Sequence, residues 1–397
     1  MRQIEKKNRR LRLFLKFKWL KSLIFLAVFW MIWGCALKPP EVDLPAEKVR
    51  PLFVPVSAGE AVSIVSQGLE AQGLESWTRL EKPLKNSLDR VRKRPSRDKA
   101  LCLPELCFTW QDLEDTLETL LVLLPDVDRN PELLEYFFDF YALNPDILLT
   151  GYYEPLLKAS RQADQKYRYP VYALPDDLLT ADLGRFHPRW EGQTLTYRIE
   201  ENRIAPYYDR KSIDQQGALA GQGLELAWVD DPVDLFFLHI QGSGRLEYPD
   251  GTREHALYAG KNGRAYVALG RVLAEQGHLE PEEISMQSIR EFLWDNENQL
   301  QKFLNTNPSY VFFRLEDHGP VGSAGHVLTP FVSVAADPDI IPQGTPLILD
   351  AGLPEYKGRK NRVTGPVLVH DTGGAIKGRH LDLFCGFGDR AEYLAGH

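Results

Sequence analysis

The sequence predicts a mainly β fold with helices, α+β in class, spread over more than one domain. Three observations lead there. Short apolar runs at residues 331–336, 347–349 and 367–369 are punctuated by Gly322, Gly325, Pro330, Pro338, Pro342, Gly344 and Pro346, the pattern of a small β-barrel. Leu113, Leu117, Leu120, Leu121 and Leu124 recur at helical spacing. At 397 residues, with 44% apolar composition, the chain is globular and too long for one small core, so two domains are the default.

Formal net charge is −8, but residues 1–35 hold nine Lys/Arg against one Glu. The remainder therefore has 38 basic and 54 acidic residues, or −16. So acidic a body argues against nucleic acid, whose binders neutralise phosphates with a basic surface.

The amino terminus is a basic stretch from Arg2 to Lys21 followed by an apolar run over 23–33, too short to span a bilayer and suited to a signal peptide. Gly34-Cys35 at its end resembles the lipobox of bacterial lipoproteins, in which the Cys is lipidated and begins the mature chain. Residues 1–35 are thus expected to be a lipoprotein signal peptide and 36–50 a Pro-rich tether. The alternative is an uncleaved signal anchor. No Asp follows Cys35, which favours the periplasmic face of the outer membrane. Cys102 and Cys107 are close enough to pair in an oxidising compartment, and make a weak zinc site. Cys385 is either a thiol nucleophile or, with Phe384 and Phe387 beside it, a buried structural residue.

Within the body, a helix followed by a loop is expected over 82–99. Thr109 reads as an N-cap with Asp112 three residues on, and its helix should end before Pro125. Asn130-Pro131 opens a second helix, with Leu134, Phe137, Phe138 and Tyr141 in the core. Residues 147–155 break that pattern: a β-like run ends in Gly151-Tyr152-Tyr153-Glu154-Pro155, where paired tyrosines suit stacking on sugar rings. Residues 156–307 read as mixed α/β, with strands at 167–173 and 195–199 and helices at 233–240, 265–275 and 286–304. Gln241-Gly242-Ser243-Gly244 could cradle an anion but lacks the ending of a phosphate loop.

Chemistry concentrates near the end. Asp371 follows the apolar run 366–369, and Asp382 lies eleven residues on between Leu381 and Leu383. The alternation reads as two half-buried strand ends joined by a glycine-rich turn. A carboxylate at such a place is a candidate acid catalyst, because burial raises its pKa.

Several of these stretches resemble one family. Residues 151–155, 231–244, 260–264 (Gly-Lys-Asn-Gly-Arg), 336–346 and 369–384 are similar, in order, to motifs of the membrane-bound lytic murein transglycosylase A family. The terminal part resembles its 3D domain, whose three aspartates match Asp337, Asp371 and Asp382. The resemblance implies a double-psi β-barrel from residues 51–155 and 308–397, with a second β-rich domain inserted at 156–307 and a glycan cleft along their boundary. That insertion makes the helix expected at 233–240 vulnerable. The chain ends at Ala395-Gly396-His397, where family members usually continue into a final strand.

The implied reaction cleaves the β-1,4 bond between N-acetylmuramic acid and N-acetylglucosamine without water, leaving a 1,6-anhydromuramoyl end. Asp382 matches the acid/base, and Asp371 is expected to support it by hydrogen bonding or electrostatics. Tyr152, Glu154, Gln241, Ser243, Lys377 and Asp337 are candidate substrate-binding residues. No metal or other cofactor is expected; the partners are peptidoglycan glycan strands and the membrane, through the lipid. Two rivals remain: a non-catalytic peptidoglycan-binding lipoprotein on the same barrel, and an aspartic protease, suggested by Asp371-Thr372-Gly373.

Overall fold

The computed structural model describes residues 51–66, 69–143 and 147–396. The expected signal peptide, tether and Cys35 lie outside these residues. In chain order the first strands are β1 (Phe53–Val56), β2 (Lys99–Cys102), β3 (Cys107–Thr109), β4 (Phe140–Leu143), β5 (Leu148–Glu154) and β6 (Leu156–Ser160). Next come β7 (Tyr169–Tyr172), β8 (Leu179–Asp182), β9 (Thr194–Glu200), β10 (Arg203–Pro206), β11 (Glu225–Val229) and β12 (Ser243–Glu247). The last are β13 (Arg253–Lys261), β14 (Val311–Glu316), β15 (Ser333–Ala336), β16 (Pro346–Tyr356), β17 (Arg359–Asp371) and β18 (His380–Phe387). With the helices between them these make a strand-rich α+β fold, as expected.

Two sheets position the site. One has the order β16-β17-β15-β18-β5; the other runs β14-β13-β12-β6-β11-β7. The chain leaves the first sheet for the second at Pro155, between β5 and β6, where proline's missing N–H interrupts a ladder. β14 belongs to the second sheet although it falls after residue 307.

Alternation puts the two faces of the first sheet against different partners. Val334, Val367, Val369, Leu381, Leu383 and Cys385 share one core, while Val332 and Leu368 pack against the helices Glu81–Arg92 and Trp110–Val127 through Leu84, Leu88, Leu113 and Leu117. Leu117 is fully buried, a contribution of about 2–3 kcal/mol. Thr109 caps its helix in a reciprocal box with Asp112. That helix does not stop before Pro125, as expected, but runs to Val127. Proline removes one hydrogen bond in the last turn, and burial of Leu124 and Val127 carries the helix past it.

The second helix is the short Leu133–Phe137, because Phe138 turns extended to enter β4, which pairs with β1. Leu134 is core, but Phe137 and Tyr141 are 56% and 40% exposed, so that expected stripe is corrected. The helix at 233–240 holds, as Pro232–Gln241 capped by Asp231. The one expected at 265–275 is shorter, Leu269–Glu275, and that at 286–304 breaks after Asp295 and resumes at Leu300–Leu304. Cys102 and Cys107 face each other across the β2–β3 hairpin and are disulfide-bonded.

Candidate active site

Strand register builds the site. Asp371 on β17 lies opposite Ala335 on β15, Ala335 opposite Asp382 on β18, and Asp382 opposite Thr150 on β5. Residues directly opposite share a sheet face. Two carboxyls therefore stand on one face with only a methyl group between their strands. The pairing depends on a slip between Val334 and Ala335: Val334 faces Val369, but Ala335 faces Asp371, which leaves His370 as the extra residue. A bulge re-aims the side chain that follows it. His370 itself is buried, with Nδ1 2.9 Å from Ser333 Oγ and Nε2 3.0 Å from Ser87 Oγ, and burial pushes it down to about 4.

The two carboxyls have different surroundings. The Thr150 hydroxyl donates to Asp382 Oδ1 at 2.7 Å. Burial pushes Asp382 up to about 6, against the Thr150 hydrogen bond and with help from the charge of Asp371. Asp371 accepts from the Tyr152 hydroxyl at 3.0 Å and from the Ser323 and Thr372 amides at 2.8 Å each. Burial holds it above the ordinary carboxyl range even so. No hydrogen bond joins the two carboxyls among the described residues, so their coupling is through charge. Beneath them Tyr152, Leu328, Ala335, Ile376 and Phe384 form an apolar floor.

The loop holding Asp371 is pressed onto β17. A Cβ on Gly322 would sit 2.5 Å from the His370 carbonyl oxygen, backbone that cannot move aside. Gly322→Ala is therefore expected to destabilise the fold by about 1–3 kcal/mol, read from urea unfolding. A wild-type midpoint would show that the loop is free to retreat.

The other candidates fall into two groups. Lys377 reaches Asp337, Nζ to Oδ1 3.2 Å, while the Gly378 amide donates to Asp337 Oδ2 at 2.8 Å. Asp337 is buried and clamps the turn between β17 and β18; Lys377 remains largely exposed. Burial alone would raise Asp337, but the Gly378 amide and the Lys377 ammonium hold it below the usual range. Gln241 accepts from the Tyr153 amide at 3.0 Å, which ties the end of its helix to β5. Gly242 caps the end of that helix at φ 77° and Ser243 opens β12, so the Gly-Ser-Gly stretch is a helix cap running into a strand and not an anion loop. Its Gly244 lets β12 approach β5: an added Cβ would lie 3.1 Å from Pro155 O, beside the Arg245 amide that donates to that oxygen at 2.7 Å.

Two expectations are corrected. Glu154 is 1% exposed, with Oε2 2.6 Å from Arg245 Nε and Oε1 2.5 Å from His255 Nδ1, so it joins the sheets and does not face a ligand. Tyr152 and Tyr153 are buried and present no open ring face for stacking. Cys385 is buried, and burial pushes its thiol up to about 12, the structural alternative.

Sequence reasoning missed Thr150, His380, Ser323 and Lys261. His380 Nε2 lies 2.8 Å from Thr150 Oγ1. Lys261, at the end of β13, brings Nζ within 3.5 Å of where a Gly374 Cβ would be, so the second sheet reaches the turn of the first. The period-2 spacing of His380 and Asp382 was the available signal for one of them.

Residues 148–314 match the family described as the MltA-specific insert domain, and residues 332–397 match the 3D domain. A membrane-bound lytic murein transglycosylase A from Vibrio cholerae is 38% identical over 257 residues, 64% of this chain and 62% of its own. The aligned part thus spans less than two thirds of that relative. The crystal structure of a membrane-bound lytic murein transglycosylase from Agrobacterium tumefaciens is similar with a TM-score of 0.70 at 31% identity, over 87% of this chain and 94% of that one. The Escherichia coli MltA structure with bound chitohexaose is similar with a TM-score of 0.60 at 26% identity, over 80% and 86%.

Proposed function

The chain belongs to the membrane-bound lytic murein transglycosylase A family, and on that premise we propose that it cleaves the N-acetylmuramic acid β-1,4 N-acetylglucosamine bond of peptidoglycan without water, through Asp382 alone. The observation that carries this reading is the row Asp371, Ala335, Asp382, Thr150, with one carboxyl poised to hold a proton near pH 6.

The chemistry asks one group to be an acid and then a base. Asp382 gives its proton to the glycosidic oxygen as the bond from C1 to that oxygen breaks. The resulting carboxylate takes the proton of the C6 hydroxyl as O6 bonds to C1. The proton count closes on the enzyme and no water enters. Asp371, beside the same face, opposes the positive charge that develops at C1. Because the acid form starts the cycle, activity is expected to fall as pH rises past about 6, and bulk protonation below that is favourable.

The cleft runs along the first sheet beside the inserted domain. Lys377, Ser243 and Gln241 contact the glycan there, Tyr152 acts through Asp371, and Asp337 holds the turn that presents Lys377. The glycan bound to the E. coli relative supports such a cleft. The parallel pairs β15–β17 and β5–β18 support the double-psi arrangement, with 51–155 and 308–397 as barrel and 156–307 as insert, except that β14 pairs into the sheet of the insert. The lipid on Cys35 anchors the body to the periplasmic face of the outer membrane. No helix among the described residues is long and apolar enough to cross a membrane.

Mass spectrometry of digested sacculi tests the reaction. Anhydromuramoyl ends, one water lighter than hydrolysed ends, are expected. Hydrolysed ends, or sacculi bound but left intact, would overturn it.

A further inference from the structure

We propose that Thr150 and His380 are positioning residues that form a one-way hydrogen-bond chain to Asp382 and so decide which of its two oxygens exchanges the reacting proton. The inference rests on the acid/base reading of Asp382.

The chain is part of the sheet and not of a mobile loop. His380 and Asp382 are two residues apart on β18 and share a face; β5 runs parallel beside them, with Thr150 opposite Asp382 and Leu148 opposite His380. His380 Nε2 is 2.8 Å from Thr150 Oγ1, which is 2.7 Å from Asp382 Oδ1. A threonine hydroxyl has one proton. When that proton goes to Oδ1 of the ionised carboxylate, His380 reaches Thr150 only as a donor, with its proton on Nε2.

That tautomer has a consequence for the acid form as well. If Asp382 carried its proton on Oδ1, Thr150 could no longer donate to that oxygen, and with Nε2 of His380 already protonated its one proton would be left without either acceptor. The hydrogen bond therefore favours the proton on Oδ2, for which no protein donor is present among the described residues. Oδ2 is the oxygen left to give a proton to the leaving group and to take one from the C6 hydroxyl. His380 acts as a lock on direction and never touches the sugar.

The chain also favours the carboxylate, opposing burial. The titratable groups facing Asp382 are Asp371 across Ala335, Tyr152 on β5, and His380 and Cys385 on its own strand. Burial keeps Tyr152 and Cys385 neutral, so the charge that bears on Asp382 is that of Asp371.

Ring-nitrogen NMR of the full chain should find His380 protonated on Nε2 when neutral; an Nδ1–H tautomer would overturn the chain's direction. Thr150→Val removes the donor to Asp382 and is expected to move the alkaline limb of anhydromuropeptide release up by about one pH unit; His380→Leu removes only the outer link and should move it the same way by less. Thr150→Ser and His380→Gln keep the needed donors and should leave that midpoint in place. The double variant Thr150→Val/His380→Leu should shift no further than Thr150→Val, since residues in one network are not additive. An unmoved midpoint in Thr150→Val, or additive shifts, would overturn the proposal. Carbon NMR titration of Asp382 in wild type and Thr150→Val reads the same shift without turnover. Absence of anhydro products from the wild type would instead remove the catalytic reading alone.

Discussion

Asp382→Asn is expected to lower the rate of anhydromuropeptide release by about 10³-fold or more, while sacculus binding persists. The amide keeps the shape and the Thr150 hydrogen bond but can neither give nor take the proton, and positioned acid–base groups contribute roughly 10²–10⁴-fold each. Here one group serves both half-steps, which puts the loss at the upper end. Retention of more than a few per cent of the rate would remove Asp382 from its role.

The same substitution should make the protein more stable at neutral pH. Asp382 has a folded value of about 6 against an ordinary 3.8. A group raised in the folded state lends its full stability below its unfolded value and loses it as pH rises through the folded one. Wild type is thus expected to lose stability between about pH 4 and pH 6, and Asp382→Asn to lose less. The gap should reach on the order of 1–3 kcal/mol above pH 7 and close by pH 4. Urea unfolding at the two pH values measures it. A variant no more stable than wild type at pH 7.5 would mean that the carboxyl is not under strain in the native protein. A catalytic acid held against its preference is a site where function is kept at the expense of stability.

How much of this was legible beforehand follows from the range of the forces involved. Asp371 and Asp382 as strand ends around a glycine turn could be read directly, because alternation and turn chemistry are local. So could the Thr109 cap and the helix at Pro232–Gln241, whose Asp-Pro start holds within the β-rich insert. The bulge at His370 was not legible. It exists because Ser87 and Ser333, far away in sequence, satisfy both ring nitrogens and hold one extra residue in β17. Thr150 and His380 escape notice for a related reason: their meaning lies in the parallel pairing of β5 with β18, which no local pattern announces. Glu154 reads as a ligand group because a carboxylate beside two tyrosines looks like a cleft. Its partners, Arg245 and His255, come from strands of the other sheet and turn it inward.

Those partners make Glu154 the second position where a single change should tell strongly. Its carboxylate ends β5 in the first sheet; Arg245 lies on β12 and His255 on β13 in the second. The Arg245 guanidinium also sits 3.6 Å over the ring of Phe387, the last residue of the strand that holds Asp382. Glu154→Leu would strip the joint of its acceptor and leave a mostly buried guanidinium with the aromatic ring as its remaining close partner. Breaking a buried pair from one side costs about 3–5 kcal/mol, and the residual exposure of Arg245 puts this case near the lower figure. Loss of activity should follow at temperatures where the fold survives, because the two walls of the cleft would no longer be held in register. Glu154→Leu combined with Arg245→Leu should recover part of the stability, since an apolar pair leaves no orphaned charge. It should not recover activity, as the ring of Phe387 has lost its cation. Urea unfolding of the three variants separates these effects. A loss below about 1 kcal/mol in Glu154→Leu would mean that water reaches the joint and that the sheets are held together by their apolar cores instead.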